Sequence, residues 1–244
     1  MTLPLPAASA RAPVTAVLVH GAWADGSSWR HVIHRLQAAG IAAVAVQNPT
    51  SSLAADTEAT RRAIENAAGD VVLVGHSWGG TVVTEAGEHP KVKALVYVAA
   101  FAPDVGQSTG DQVAAHGQPP ALGDVAPDRA GALVMSEEGW IRNVAQDLPM
   151  DEARVLAAIA PPLALGTFGE AVTRAAWKTR PCWYVVSGDD RAVSVALQRE
   201  LAATLGARSV ELAASHMSLL SQPHAVADVI REAVAAVDPP PAAA

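Results

Sequence analysis

Gly75-His76-Ser77-Trp78-Gly79-Gly80 sets a serine between glycines where an apolar run, Val71 to Val74, gives way to a helix-like stretch, Thr81 to Glu88. A serine at the apex of a strand–turn–helix is a nucleophile elbow. The turn lifts the hydroxyl clear of the sheet, and the start of the helix favours negative charge. Glycines at 75 and 79 fit where a Cβ would meet neighbouring backbone. G-x-S-x-G also arises by chance in Gly-rich turns, so the reading rests on partners. A nucleophilic serine needs a base, a group that orients the base, and donors for an oxyanion.

Candidates for each follow in order. The base is His216, in Ala214-Ser215-His216-Met217, between the last apolar run and the last helix. The chain has eight histidines, so the others need plainer explanations. His31 and His34 lie three apart beside Arg30 and Arg35, with no carboxylate or cysteine to complete a metal site, and read as a solvated helix face. His89 ends a helix, His116 falls in the strand-poor middle, and His224 starts the last helix. His20 is expected to hold its loop, and His76 to point away from the apex.

The orienting acid comes from Ser187-Gly188-Asp189-Asp190-Arg191, just past a strand. Asp190 is preferred because it lies further beyond the strand end. Asp189 stays open as the alternative, Asp104 is a weaker third, and a turn aspartate bonding its own backbone is the plain reading of each. The order Ser77, Asp190, His216 is that of an elbow nucleophile followed by its acid and base. The oxyanion donors are the backbone N–H groups of Trp78 and of Ala22, the latter in His20-Gly21-Ala22-Trp23.

These residues need a frame that holds them at one edge. Apolar strands at 15–19, 41–46, 70–74, 94–98, 183–187 and 209–212 alternate with helices at 28–39, 56–67, 195–205 and 223–237. Ser28 and Asp56 are the expected caps of the first two helices, with Gly40 and Gly69 closing them. The alternation predicts an α/β fold, a mostly parallel central sheet with helices on both faces. The rhythm breaks from about Pro103 to Trp177, where short helical pieces are expected at 137–145 and 151–159. A long stretch without strong strands is usually functional. Residues 104–176 are read as a helical lid inserted into a core of 14–103 and 177–237, with loose tails at 1–13 and 238–244. Trp23, Met135, Trp140, Leu163, Leu165, Phe168 and Met217 are candidates for an apolar pocket beneath that lid. The lid residues among them serve equally as its own small core.

Composition narrows the partners. The 244 residues are 50% hydrophobic with a formal net charge of −7, which argues against nucleic acid. No apolar run approaches the roughly 20 residues that span a bilayer. The single cysteine, Cys182, allows no intrachain disulfide and fits a cytoplasmic protein, with the thiol as a small buried hydrophobe. The sequence does not specify an oligomeric state, and no metal site is expected.

The His-Gly loop, the Gly-His-Ser-x-Gly-Gly elbow, the Gly-Asp-Asp-Arg turn and the Ser-His-Met loop together resemble the α/β-hydrolase fold family, over Thr15 to Val237. Within it the chain is similar to the small lidded branch of plant methylesterases, hydroxynitrile lyases and many bacterial esterases, as is Ala99-Ala100-Phe101-Ala102-Pro103-Asp104. Lyase members carry a threonine after the oxyanion-loop histidine and a lysine after the catalytic one, which stabilises the leaving cyanide. Gly21 and Met217 stand there, as in esterase members. The resemblance implies a cofactor-free serine hydrolase acting on a small-molecule ester. A lactonase, a C–C hydrolase, a perhydrolase, a hydroxynitrile lyase or a non-catalytic ligand-binding member are the alternatives that the fold leaves open.

Overall fold

Strand and helix alternate from the first described residues, and the order of the strands in space puts the candidate residues on one edge. The computed structural model describes residues 13–237. The expected tails lie outside the described residues, apart from Pro13. In chain order the elements are β1 (Thr15–Val19), α1 (Arg30–Ala38), β2 (Ala42–Ala45), α2 (Leu53–Asn66), β3 (Val71–His76), α3 (Trp78–Ala86) and β4 (Val92–Val98). There follow α4 (Thr109–His116), β5 (Val125–Pro127), β6 (Leu133–Met135), α5 (Glu137–Gly139) and α6 (Met150–Ile159). The chain closes with β7 (Cys182–Ser187), α7 (Val195–Thr204), β8 (Arg208–Leu212), α8 (Ser218–Ser221) and α9 (Pro223–Val237).

Six strands form one sheet in the order β2-β1-β3-β4-β7-β8, every pair parallel. Successive residues on a strand face opposite sides. Ala16, Leu18, Val72 and Val74 therefore pack with Val32 and Leu36 of α1 and Ile230 of α9. Val17, Val19, Val71 and Leu73 pack on the other side with Ile64 of α2, Val82 and Val83 of α3, and Leu197 of α7. Two cores explain why β1 and β3 read as unbroken apolar runs.

Local chemistry moves two helix starts from their expected places. A 3-10 turn, Gly26–Trp29, precedes α1, and Asp25 rather than Ser28 caps it by accepting from the Ser27 N–H. Ser28 Oγ instead donates to the Asp25 carbonyl. Helix α2 is capped by Ser52, which accepts from the Ala55 N–H, and so starts before Asp56. The Asp56 side chain is fully buried and accepts from Thr50 N at 2.8 Å and Trp78 Nε1 at 2.8 Å. Between β4 and β7 the chain also forms a short antiparallel pair, β5 with β6. The piece expected at 137–145 is α5 running into a π turn, Trp140–Val144.

Close packing at the elbow demands its glycines. A Cβ on Gly75 would lie 2.5 Å from the Gly79 carbonyl oxygen, one on Gly79 2.5 Å from that of Val19, and one on Gly80 would overlap the Phe101 carbonyl. These neighbours are backbone and cannot swing aside. Gly80→Ala is expected to cost more than about 3 kcal/mol, because overpacking is joined by displaced backbone. A thermal melt unchanged from wild type would contradict that packing account.

Candidate active site

The Ser77 backbone is strained, with φ 54° and ψ −124°. A non-glycine residue there costs on the order of 1–3 kcal/mol and persists only where its surroundings hold it. Ser77 N donates to the Val98 carbonyl at 3.2 Å, and the Ser77 carbonyl accepts from Gly80 N at 2.9 Å and Phe101 N at 3.2 Å. Trp23, Thr50 and Ala99 also have positive φ. They follow β1, β2 and β4, so the strain gathers beyond the carboxyl ends of the strands, where open α/β sheets bind ligands.

His216 lies between β8 and α8, and its Nδ1 is 2.7 Å from Asp190 Oδ2. Both side chains are buried, at 7% and 0% exposure. Asp190 Oδ1 accepts from Ala192 N at 2.7 Å and Val193 N at 2.9 Å, while Oδ2 also accepts from Gln198 Nε2 at 2.8 Å. Four donors leave the carboxylate one orientation. They assign a proton to His216 Nδ1, so that in the neutral ring Nε2 is the acceptor. Asp189 is exposed, and its carbonyl accepts from Gln146 Nε2. Asp104 sits at the surface in an ion pair with Lys178, and the hydrogen bond from that ammonium holds its carboxyl below the usual range. Neither reaches His216 as Asp190 does.

Ser77 and His216 border one narrow cavity, with free volume about 20 Å³. That is room for roughly one water molecule. Its walls are Ala22, Trp23 and Phe101 from the core, Leu122, Met135, Trp140, Val144 and Phe168 from the segment between β4 and β7, and Ala192. The expected Trp23, Met135, Trp140 and Phe168 thus meet at the serine. Three other pocket candidates do not. Leu163 is buried and pairs its backbone with Leu133, Leu165 is 73% exposed, and Met217 is buried away from the wall. Phe101 and Ala192 follow strand ends, a signal that sequence reading had available. Leu122 and Val144 carry no local signal.

Ala22 is on the wall, and the loop holding it runs hard against the elbow. A Cβ on Gly21 would come 2.7 Å from Ser77 Cβ. His20 holds this loop, with Nδ1 2.9 Å from the Gly21 carbonyl and Nε2 accepting from Asn48 N at 2.9 Å. Trp78, first residue of α3, is anchored by its bond to Asp56, whose carboxyl burial pushes up. Phe168 stacks on the Trp78 ring at 5.5 Å and meets the Trp23 ring edge-on at 5.8 Å.

Cys182, at the start of β7, has its thiol pushed up to about 12 by burial. A thiolate-seeking reagent at pH 8 is expected to leave the folded protein unlabelled and to label it once unfolded, since only the thiolate attacks. Rapid labelling of the native protein would contradict this burial.

Known proteins agree with this architecture. A family model described as the alpha/beta hydrolase family matches residues 16–229. Alpha/beta hydrolase nvfD of Aspergillus novofumigatus is 30% identical over 245 residues, covering 89% of this chain and 95% of that protein. A carbendazim hydrolyzing esterase of Nocardioides sp. is 36% identical over 109 residues, 38% of this chain and 44% of that one. Among solved structures, polyneuridine aldehyde esterase superposes with a TM-score of 0.78 at 19% identity, over 91% of this chain and 99% of that chain, a likeness of fold. The chain belongs to the alpha/beta hydrolase family, with an esterase among its relatives.

Proposed function

We propose that this protein is a serine hydrolase that cleaves carboxylic esters of small, uncharged, hydrophobic substrates. The observation that carries the reading is the buried Asp190–His216 pair beside a strained serine, on the wall of one apolar cavity. Ser77 Oγ attacks the ester carbonyl while His216 Nε2 takes its proton. The N–H groups of Trp78 and Ala22 hold the tetrahedral oxyanion. His216 returns the proton to the leaving alcohol, and an acyl group stays on Ser77. Water, deprotonated by the same histidine, then releases the acid and restores the serine. Asp190 keeps the imidazole in place and balances the charge it gains.

The cavity supports the substrate class. Apart from Ser77 and His216 its walls are apolar or aromatic, so a charged group would lose its hydration without gaining a partner. Residues 104–176 supply Leu122, Met135, Trp140, Val144 and Phe168 to the cavity wall and act as a lid over the serine. Among the described residues no helix is long and apolar enough to cross a membrane. A net charge of −7 and a lone buried thiol fit a cytoplasmic enzyme working on a neutral small molecule.

A p-nitrophenyl ester series from acetate to octanoate tests the reading. Turnover should appear and fall off as the acyl chain outgrows the pocket; no turnover of any member by folded protein would count against the esterase. Phe168 stands where three aromatic rings meet, facing Trp23, Trp78 and Phe101. Phe168→Ala should enlarge the cavity and move the optimum to longer chains. An unchanged chain-length profile would remove Phe168 from the pocket wall.

A further inference from the structure

The histidine directly before the nucleophile is wholly buried and takes no part in the steps above. His76 Nε2 lies 2.9 Å from the carbonyl oxygen of His216, and the two imidazole rings are 4.5 Å apart, inclined at 43°. A carbonyl only accepts, so His76 carries its proton on Nε2 and donates it. Its Nδ1 has no hydrogen-bond partner and faces Gly21, where a Cβ would come within 3.2 Å. The Trp29 ring meets His76 edge-on at 6.3 Å. One side chain therefore touches the loops that carry the base and the Ala22 donor, and it is bonded in sequence to the nucleophile.

We infer that His76 is a positioning residue for the base: an Nε2–H donor that fixes the main chain of His216 while its ring packs on the imidazole. Asp190 holds the ring of His216 and His76 holds its backbone, so the base is fixed at both ends. Neutrality matters, because a second imidazolium beside His216 would oppose the charge that the base must gain. Burial, with the His216 ring adjacent, holds His76 well below the usual imidazole range. The inference rests on the serine-hydrolase reading for its kinetic effect but not for its tautomer.

Two measurements test it. The first compares His76→Phe, which keeps a ring without the donor, with His76→Gln, whose amide nitrogen can reach the same carbonyl. With a p-nitrophenyl ester that wild type hydrolyses, His76→Phe should lose about 10–100-fold in kcat with KM held within about twofold. His76→Gln should recover at least about tenfold of that loss. A folded His76→Phe with wild-type kcat, or equal losses in both variants, would overturn the inference. The second needs no variant and no activity: nitrogen-15 NMR of the wild-type imidazoles from pH 5 to 8. His76 should stay neutral with the proton on Nε2 throughout. A His76 that titrates in this range, or carries its proton on Nδ1, would overturn it. A wild type without turnover would instead count against the esterase reading and leave the NMR outcome standing.

Discussion

Ser77→Ala should abolish ester hydrolysis without unfolding the protein, lowering kcat on the order of 10⁴–10⁶-fold. The size follows from the chemistry. Removing Oγ removes the atom that forms the acyl bond, and no second hydroxyl or thiol stands on the cavity wall to replace it. What survives is the binding of the ester and the polarising N–H groups, which still accelerate direct attack by water. Stability should hold or rise slightly. Alanine keeps the Cβ that packs near Gly21, and no hydroxyl bond is needed to hold the elbow's strained backbone. Circular dichroism and a thermal melt check folding, and initial rates check turnover. Near-normal rates from the folded variant would remove Ser77 from the mechanism.

Asp190→Asn is the second large effect, a fall in kcat of about 10⁴-fold. The carboxylate accepts four hydrogen bonds, two on each oxygen. An amide has one acceptor oxygen and one NH2 group, so one pair of donors must face another donor. If the NH2 occupies the Oδ1 position it confronts the backbone N–H groups of Ala192 and Val193. If it occupies the Oδ2 position it confronts Gln198 Nε2 and drives the His216 proton from Nδ1 to Nε2. The second arrangement relieves the conflict with His216 but leaves the base no free nitrogen towards Ser77. Asp189→Asn is the matching control. Its side chain is exposed and its carbonyl, not its carboxylate, meets Gln146, so kcat should stay within about twofold of wild type. Equal losses in the two variants would undo the assignment of the acid.

Much of this arrangement was legible because local chemistry dictates it. The G-x-S-x-G turn needs glycine at two close backbone approaches, and those approaches are present at 75 and 79. Continuous apolar runs at β1 and β3 announced a sheet covered on both faces. The loops after β7 and β8 placed an aspartate and a histidine on the same edge as the serine, and the preference for Asp190 over Asp189, drawn from distance past the strand, picked the one of the two that bonds His216. What stayed hidden depends on contacts far apart in the chain. Nothing beside Gln198 says that it meets Asp190, and only a polar residue on the inward face of α7, between Leu197 and Leu201, hints at it. Asp56 looked like a cap because caps are the commonest work of such a residue. Its true partners are Thr50, in the loop before α2, and Trp78, at the start of α3. Leu165 was chosen for its apolar character, yet it stands exposed beside Gly166, at φ 92°. Hydrophobicity alone does not separate the inner face of the segment between β4 and β7 from its outer one.

The covalent bond between Ser77 and its substrate is the step on which the proposed mechanism turns. The most direct measurement is intact mass and peptide mapping after treatment with a p-nitrophenyl alkylphosphonate, whose tetrahedral adduct occupies the place of the oxyanion. One added phosphonyl group per chain is expected, on the peptide containing Ser77, with hydrolysis lost in proportion. Its absence from Ser77→Ala should follow. A wild type that hydrolyses esters yet carries the label elsewhere, or carries none while losing no activity, would contradict it.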